Sequence, residues 1–475
     1  MSKSFYITTA IPYVNAAPHI GFAMELLQAD AIARYHRELL GDKTLLLSGA
    51  DENALKNVQA AQTVNLPIQE FVDKNSILFI DLARELNATV DVFQKGSNQK
   101  THFPSSQKLW ELCSKNGDIY QKEYEGLYCV GCETFYAADE LSEEGECFEH
   151  PGKKLETVRE MNYFFRLSNY QDRLKKLIES DTLAIYPQTR KNEVLSFLKE
   201  PLQDISISRT NERAKNWGVP VPGDDSQRMY VWFDALNIYQ SGVGYGWDEQ
   251  TYKQWWPANV HLIGKGIIRF HAVYWPAFLM SAGLALPQNL VVHGYITVDG
   301  QKMSKTIGNV IDPFALVKQY GQDAIRYYLL REIPTFGDGD FSRSRFQELY
   351  NADLANGIGN LTARITTLGK GDSFHISQPT VDATFARHMC KYELNQALAH
   401  LWTHVASLDK YINDSEPWKI TDAAKKHEVL QEAVSKLHTI AFHLQPFMPK
   451  TSASIIEGLS AHPMKKVSGL FPRLT

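Results

Sequence analysis

Three groups of residues in this chain of 475 have the types and spacing to do chemistry. The first is His19-Ile20-Gly21, set where the turn-rich PYVNAAP leaves the apolar strand FYITTAI and enters AMELLQADAIARYHREL, which reads as an amphipathic helix. A histidine and a glycine at such a junction suggest a nucleotide site. The second is DGQKMSKTIGN, residues 299–309, where Lys302 and Lys305 flank Ser304 in a glycine-bounded loop after a strand. Two ammonium groups on a mobile loop can neutralise a polyphosphate as charge builds during a displacement, although a lysine pair taken alone is usually solvated surface. The third is Cys129-Val130-Gly131-Cys132 followed by Cys147-Phe148-Glu149-His150. Three thiolates and an imidazole at these separations can close a tetrahedron around zinc, leaving no vacancy for water, so the metal would be structural. The competing reading is a pair of buried thiols beside an unrelated surface histidine, and the doubled two-residue spacing disfavours it. Cys113 and Cys390 lack such partners and are expected in the core.

These groups need elements to position them. From Phe5 to about Phe103, short apolar runs such as FYITTAI and TLLLSGAD alternate with longer helical patterns, the mark of β-α-β units around a parallel sheet. Residues 116–215 hold three of the five cysteines and several turn signals, and strand-like texture then returns in MYVWFDAL, NVHLIGK and NLVVHGYITVDG. One parallel sheet interrupted by an insert accounts for this, with a boundary near WGVPVPGDD. After about 340 the apolar residues fall at three- and four-residue spacing, which predicts a helical bundle. The fold class is therefore α/β: a Rossmann-type parallel sheet over 1–115 and 216–335, an inserted zinc-bearing segment over 116–215, and a linking region with an α-helical bundle over 336–475.

Composition narrows the function classes. Hydrophobic residues at 44% and charged residues at 22% exclude a disordered or fibrous chain. A net charge of −5 gives no global reason to bind nucleic acid, yet a local basic face is compatible with it. The most apolar run, FHAVYWPAFLMSAGLAL, is too short for a membrane span and reads as a buried helix. MSKS runs straight into a strand with no signal segment, and an odd number of cysteines suits a reducing compartment, so a cytoplasmic protein is expected. No G-x-x-x-x-G-K-[ST] phosphate loop occurs, and GVGYG at 242–246 lacks the strand-turn-helix context of a nucleotide loop.

Read together and in order, PHIG, EYEGLYCVGCE, YVWFDAL, FHAVYWP, KMSKTIGNVIDP, DAIRYYLLRE and EPWK resemble the methionyl-tRNA synthetase family of class I aminoacyl-tRNA synthetases, over almost the whole chain. The resemblance implies attack of an amino-acid carboxylate on the α-phosphorus of ATP, with Mg2+ and a structural Zn2+ as cofactors, in a monomeric enzyme. It implies that His19 donates to phosphate oxygens, that Gly21 lets the adenine approach the backbone, and that Glu25 lies near the ribose. Lys305, helped by Lys302, would hold the leaving pyrophosphate, with Ser304 in the ATP site. Ile11, Tyr13, Trp232, Ala235, Tyr239, Ile267, His271 and Trp275 match positions lining the family's methionine pocket, where an apolar aromatic box suits a polarizable thioether. Asp51 would take the substrate ammonium. Cys129, Cys132, Cys147 and His150 match the zinc knuckle.

The chain also departs from the family pattern. Phe22 stands where the first signature ends in a second histidine or another polar residue, Gly266 where the family has an aspartate, and Asn53-Ala54 where it has histidine and glycine. A phenyl ring cannot donate to phosphate, so slow or differently organised adenylation is expected. Before EPW, Asp409 and Lys410 replace an asparagine-arginine pair, and the tail GLSAHPMKKVSGLFPRLT lacks a stacking tryptophan. These changes make a small non-tRNA nucleophile the expected acyl acceptor, as in synthetase-like ligases of specialised metabolism. The alternative is a housekeeping enzyme that charges tRNA-Met. A non-catalytic relic is disfavoured because both phosphate-handling segments survive.

Overall fold

The computed structural model describes residues 3–129, 134–136, 141–142, 144–149, 152, 154–303 and 308–474. Its centre is a six-stranded sheet built from β1 (Ser4–Thr8), β2 (Lys43–Ala50), β3 (Val92–Lys95), β4 (Ala184–Tyr186), β5 (Val260–Gly264) and β6 (Asn289–His293), in the order β3-β2-β1-β5-β6-β4. Every pairing is parallel. Parallel strands covered on both faces need apolar residues at successive positions. The parity of those positions sorts them: Ile7, Leu46, Leu262 and Val291 enter one core, while Tyr6, Leu45, Leu47, Ile263, Leu290 and Val292 enter the core on the other face.

Strand order reverses between β1 and β5, which sit side by side although more than 200 residues separate them in sequence. Connections leaving these two strands diverge to opposite sides, and the crevice outside their carboxyl ends is where such sheets hold ligands. The loop after β1 leads into α1 (Ile20–Arg34), which is buried along nearly its whole length. The expectation of an amphipathic α1 is thus corrected. Its polar residues meet partners rather than water: Asp30 pairs with Arg34 at 2.8 Å and with Arg326 at 2.6 Å.

The segment 116–215 does not act as one unit. Strands Ile119–Cys129 and Glu156–Phe165 form a long antiparallel hairpin, joined by Thr134–Tyr136 and Ile205–Ser206 in a separate four-stranded sheet. β4, which falls inside the same stretch, instead closes the far edge of the central sheet by pairing Ile185 with Leu290. Three residues carry too little pattern to announce that allegiance. The apolar run beginning at Phe270 is, as read, a buried helical segment, with Pro276 in the first turn of Trp275–Ser281.

Arg326 fastens the sheet to the helical part. It lies on α3 (Gln322–Arg331), is fully buried, and donates to the carbonyls of Leu86, just past α2 (Ile68–Glu85), and of Pro446 and Phe447. The latter two follow the bundle helices α4 (Ala383–Cys390), α5 (Leu394–Ser415) and α6 (Ala423–Leu444). α5 buries Leu394, Ala397, Leu398, Leu401, Val405, Leu408 and Ile412, the three-four spacing of one inward stripe. Cys113 is buried as expected, but Cys390 is exposed: at the end of α4 the inward positions go to Phe385 and Met389. No helix among the described residues is long and apolar enough to cross a membrane.

Candidate active site

His19 is the N-cap residue of α1, and its Nδ1 accepts the Gly21 N–H at 3.0 Å. A nitrogen that accepts carries no proton, so in the neutral ring the proton sits on Nε2, which is then the donor. The side chain is exposed at the carboxyl edge of the sheet. Gly21 has a steric reason to be glycine, because a Cβ there would lie 2.8 Å from His19 Cε1 and 3.0 Å from Nδ1. Nearby, Glu25 is buried with both oxygens engaged: Oε1 accepts the Ala10 N–H at 2.8 Å and Oε2 meets His293 Nε2 at 2.9 Å. The carboxylate therefore braces the loop after β1 against the end of β6. Ala10 and His293 were not among the residues singled out from sequence. VVHGY held the only signal, a histidine ending an apolar strand.

The same loop after β1 carries Ile11 and Tyr13. These two and Ile267 pack, partly buried, against a core containing Trp232, Ala235, Tyr239 and Trp275. His271 joins through its ring, with Nδ1 donating to the Ile267 carbonyl at 2.9 Å and Nε2 accepting from the Tyr239 hydroxyl at 2.7 Å. Burial pushes this imidazole down to about 4, so it stays neutral. Tyr239 and Trp275 rings lie 6.4 Å apart, and Trp232 stacks on Phe270 at 3.6 Å. His261, bonded to Thr8 at 2.8 Å and 4.3 Å from the Tyr239 ring, was missed, as was Phe270. Asp51 is buried and bridged through its backbone to Tyr13. All eight expected pocket residues thus belong to or pack against one core, with Tyr239, His271, Trp275 and Ile267 in a connected group and Tyr13 bridged to Asp51.

Three departures from the family pattern, Phe22, Gly266 and Asn53, have local surroundings that suit the residue present. Phe22 meets Phe79 of α2 edge-on at 5.0 Å and, partly buried, packs against the hydrophobic core, lining an open cavity with Leu26 and Ala83. At Gly266 a Cβ would fall 2.0 Å from the Tyr295 hydroxyl, so that oxygen occupies the room a side chain would need. Asn53 donates to the Gly96 carbonyl at 2.8 Å and to Asp234 at 2.6 Å, and Asp234 in turn binds His102 at 2.5 Å. This buried network ties the GADEN loop to the helix bearing Trp232 and Ala235.

Other expected site residues are only partly described. Lys302 ends a short strand whose backbone pairs with Thr297; Ser304 and Lys305 lie outside the described residues, as do Cys132 and His150. Cys129 and Cys147 are buried with their sulfurs 3.2 Å apart. Thiolates each about 2.3 Å from a shared zinc stand roughly 3.8 Å from each other, so the two sulfurs are brought together on one side of the expected knuckle but lie closer than a bound ion would hold them.

Residues 5–366 match the family model of class I tRNA synthetases (M). The chain belongs to the methionyl-tRNA synthetase family. It is 42% identical to the methionine–tRNA ligase of Thermotoga maritima, covering 96% of this chain and 75% of the relative, and 41% identical to that of Brucella melitensis, covering 97% and 92%. Among solved structures, the Mycobacterium tuberculosis methionyl-tRNA synthetase in complex with methionyl-adenylate superposes with a TM-score of 0.88 at 35% identity, covering 100% of this chain and 99% of that one. The apo form of the same synthetase gives 0.83 at 32% identity, with the same coverage. The chain is accordingly an ATP-dependent ligase that forms an aminoacyl-adenylate.

Proposed function

We propose that this enzyme transfers the activated methionine to tRNA-Met. The reading of a small non-tRNA acceptor gives way to it, since relatives at 39–42% identity over 96–97% of the chain are methionine–tRNA ligases. The main objection, a carboxylate at Asp409 that would repel phosphate, weakens on inspection. Arg364 Nη2 holds Asp409 at 2.6 Å and Asn413 Nδ2 donates to it at 3.0 Å, so the acid is neutralised beside a half-exposed guanidinium. Trp418 nearby in sequence is exposed and offers a surface for stacking.

The observation that carries the catalytic reading is that one loop, 9–19, bears both the mouth of the aromatic pocket and the His19 donor. A methionine seated against Tyr239, Trp275 and Trp232, with its ammonium at Asp51, presents its carboxylate to a triphosphate lying over the start of α1. The carboxylate oxygen attacks the α-phosphorus, the bond to the bridging oxygen breaks, and pyrophosphate leaves. His19 Nε2–H donates to phosphate oxygens as charge develops, while Lys302 and Lys305 neutralise the leaving group. Mg2+ would shield the phosphates, and Cys129, Cys132, Cys147 and His150 would hold a structural zinc away from the reaction. A tRNA hydroxyl then attacks the carbonyl and releases AMP. The test is pyrophosphate exchange into ATP over the twenty amino acids, followed by charging of tRNA-Met. Strongest exchange with another amino acid would overturn the pocket, and exchange without charging would overturn the acceptor.

A further inference from the structure

We infer that the helical domain contains a second metal site, made by Asp382, His400 and His404, for a borderline divalent transition ion such as zinc. The three side chains come from two elements. Asp382 is the N-cap residue of α4, while His400 and His404 stand one turn apart on α5, the i, i+4 spacing that puts two imidazoles on one face. One ligand atom from each lies within 4.8 Å of the others, and no other group of three or more metal-ligating side chains converges this way among the described residues.

Hydrogen bonding explains only part of this arrangement. His400 Nε2 meets Asp382 Oδ1 at 2.8 Å, and the same oxygen caps α4 by accepting the Phe385 N–H at 2.8 Å. His404 has no hydrogen-bond partner among the described residues; its ring lies 4.7 Å from that of His400. The surroundings are built to hold the carboxylate still. His443 on α6 accepts the Asp382 backbone N–H at Nε2, 2.9 Å away, while its Nδ1 donates to the Thr439 carbonyl at 2.8 Å. Such outer contacts orient a ligand set. All three ligands are half-buried, so an ion can enter and a water can complete the shell. Two imidazoles with one carboxylate suit zinc, nickel or copper rather than magnesium or calcium. The ion would pin the start of α4 to the face of α5.

The test uses the untagged full-length chain already loaded at its cysteine site, titrated with further ZnCl2 by calorimetry and by thermal melting. One additional zinc should bind and raise the melting temperature. His404→Gln, which removes no hydrogen bond, should melt as the wild type does without added metal, yet bind the additional zinc about tenfold or more weakly. His400→Gln should lose the uptake as well. No uptake beyond the cysteine-bound zinc, or equal uptake by wild type and His404→Gln, overturns the site.

Discussion

Replacing Gly21 by alanine should separate stability from catalysis. The new Cβ would lie 2.8 Å from His19 Cε1 and 3.0 Å from Nδ1, where unstrained contacts need about 3.5–4.0 Å. The imidazole must therefore retreat by roughly 1 Å, and its 3.0 Å bond from the Gly21 N–H is lost. Losing an N-cap bond costs about 1 kcal/mol. Alanine gains back up to about 1 kcal/mol over glycine inside a helix, so the two terms nearly cancel and the melting temperature should barely move. Catalysis has no such offset. A donor displaced by about 1 Å can cost on the order of a hundredfold, and removing one donor to developing charge costs a similar amount. Methionine-dependent pyrophosphate exchange should fall about a hundredfold in kcat, with the KM for methionine little changed because the pocket is untouched. A folded Gly21→Ala enzyme within threefold of wild type would refute the placement of His19.

His271, ordinarily near 6.5 but held at about 4 by burial, makes stability pH-dependent in one direction. The unfolded chain takes up the proton first, so stability is full above about pH 6.5 and declines towards pH 4, by about 3 kcal/mol in total; urea denaturation should show a flatter profile for His271→Asn. Gly266→Asp should collide with the Tyr295 hydroxyl and impair folding and exchange, whereas adding Tyr295→Phe leaves the nearest ring carbon at 3.3 Å and should restore much of the loss; strictly additive effects would sink this account. Arg326→Ala leaves the fully buried Asp30 with Arg34 alone and deprives the carbonyls of Leu86, Pro446 and Phe447 of their donor, and should lower the unfolding free energy by about 3–5 kcal/mol in denaturant titration. A loss below about 1 kcal/mol would mean that the ion pair does not fasten the two parts.

Local pattern explains what sequence reading could and could not reach. Four strands of the sheet, β1, β2, β5 and β6, were legible because burial on both faces demands successive apolar residues, as in LLLSGA and NLVVH. The stripe of α5 was legible for the same reason at helical period. What stayed hidden depends on partners far along the chain. Nothing near Asp30 announces Arg326, so the polar positions of α1 looked like a solvent face. Asn53 looked like a defect until its partner Asp234, 181 residues on, was in place. Likewise, Asp409 read as a repulsive charge because Arg364, on another helix, could not be paired with it from spacing. Of the candidate site, His19 and the aromatic residues were singled out through colinear motifs, whereas the contact of Glu25 with His293 was not.

α1 has a mechanical role that follows from its two attachments. Its first turn carries His19, and Asp30, about ten residues or 15 Å further along, is gripped by the same guanidinium that holds the carbonyls beyond α6. A tilt of the bundle against the sheet cannot leave Asp30 behind without breaking a fully desolvated ion pair. The helix would act as a pushrod, conveying a displacement of the helical bundle to the imidazole at its opposite tip.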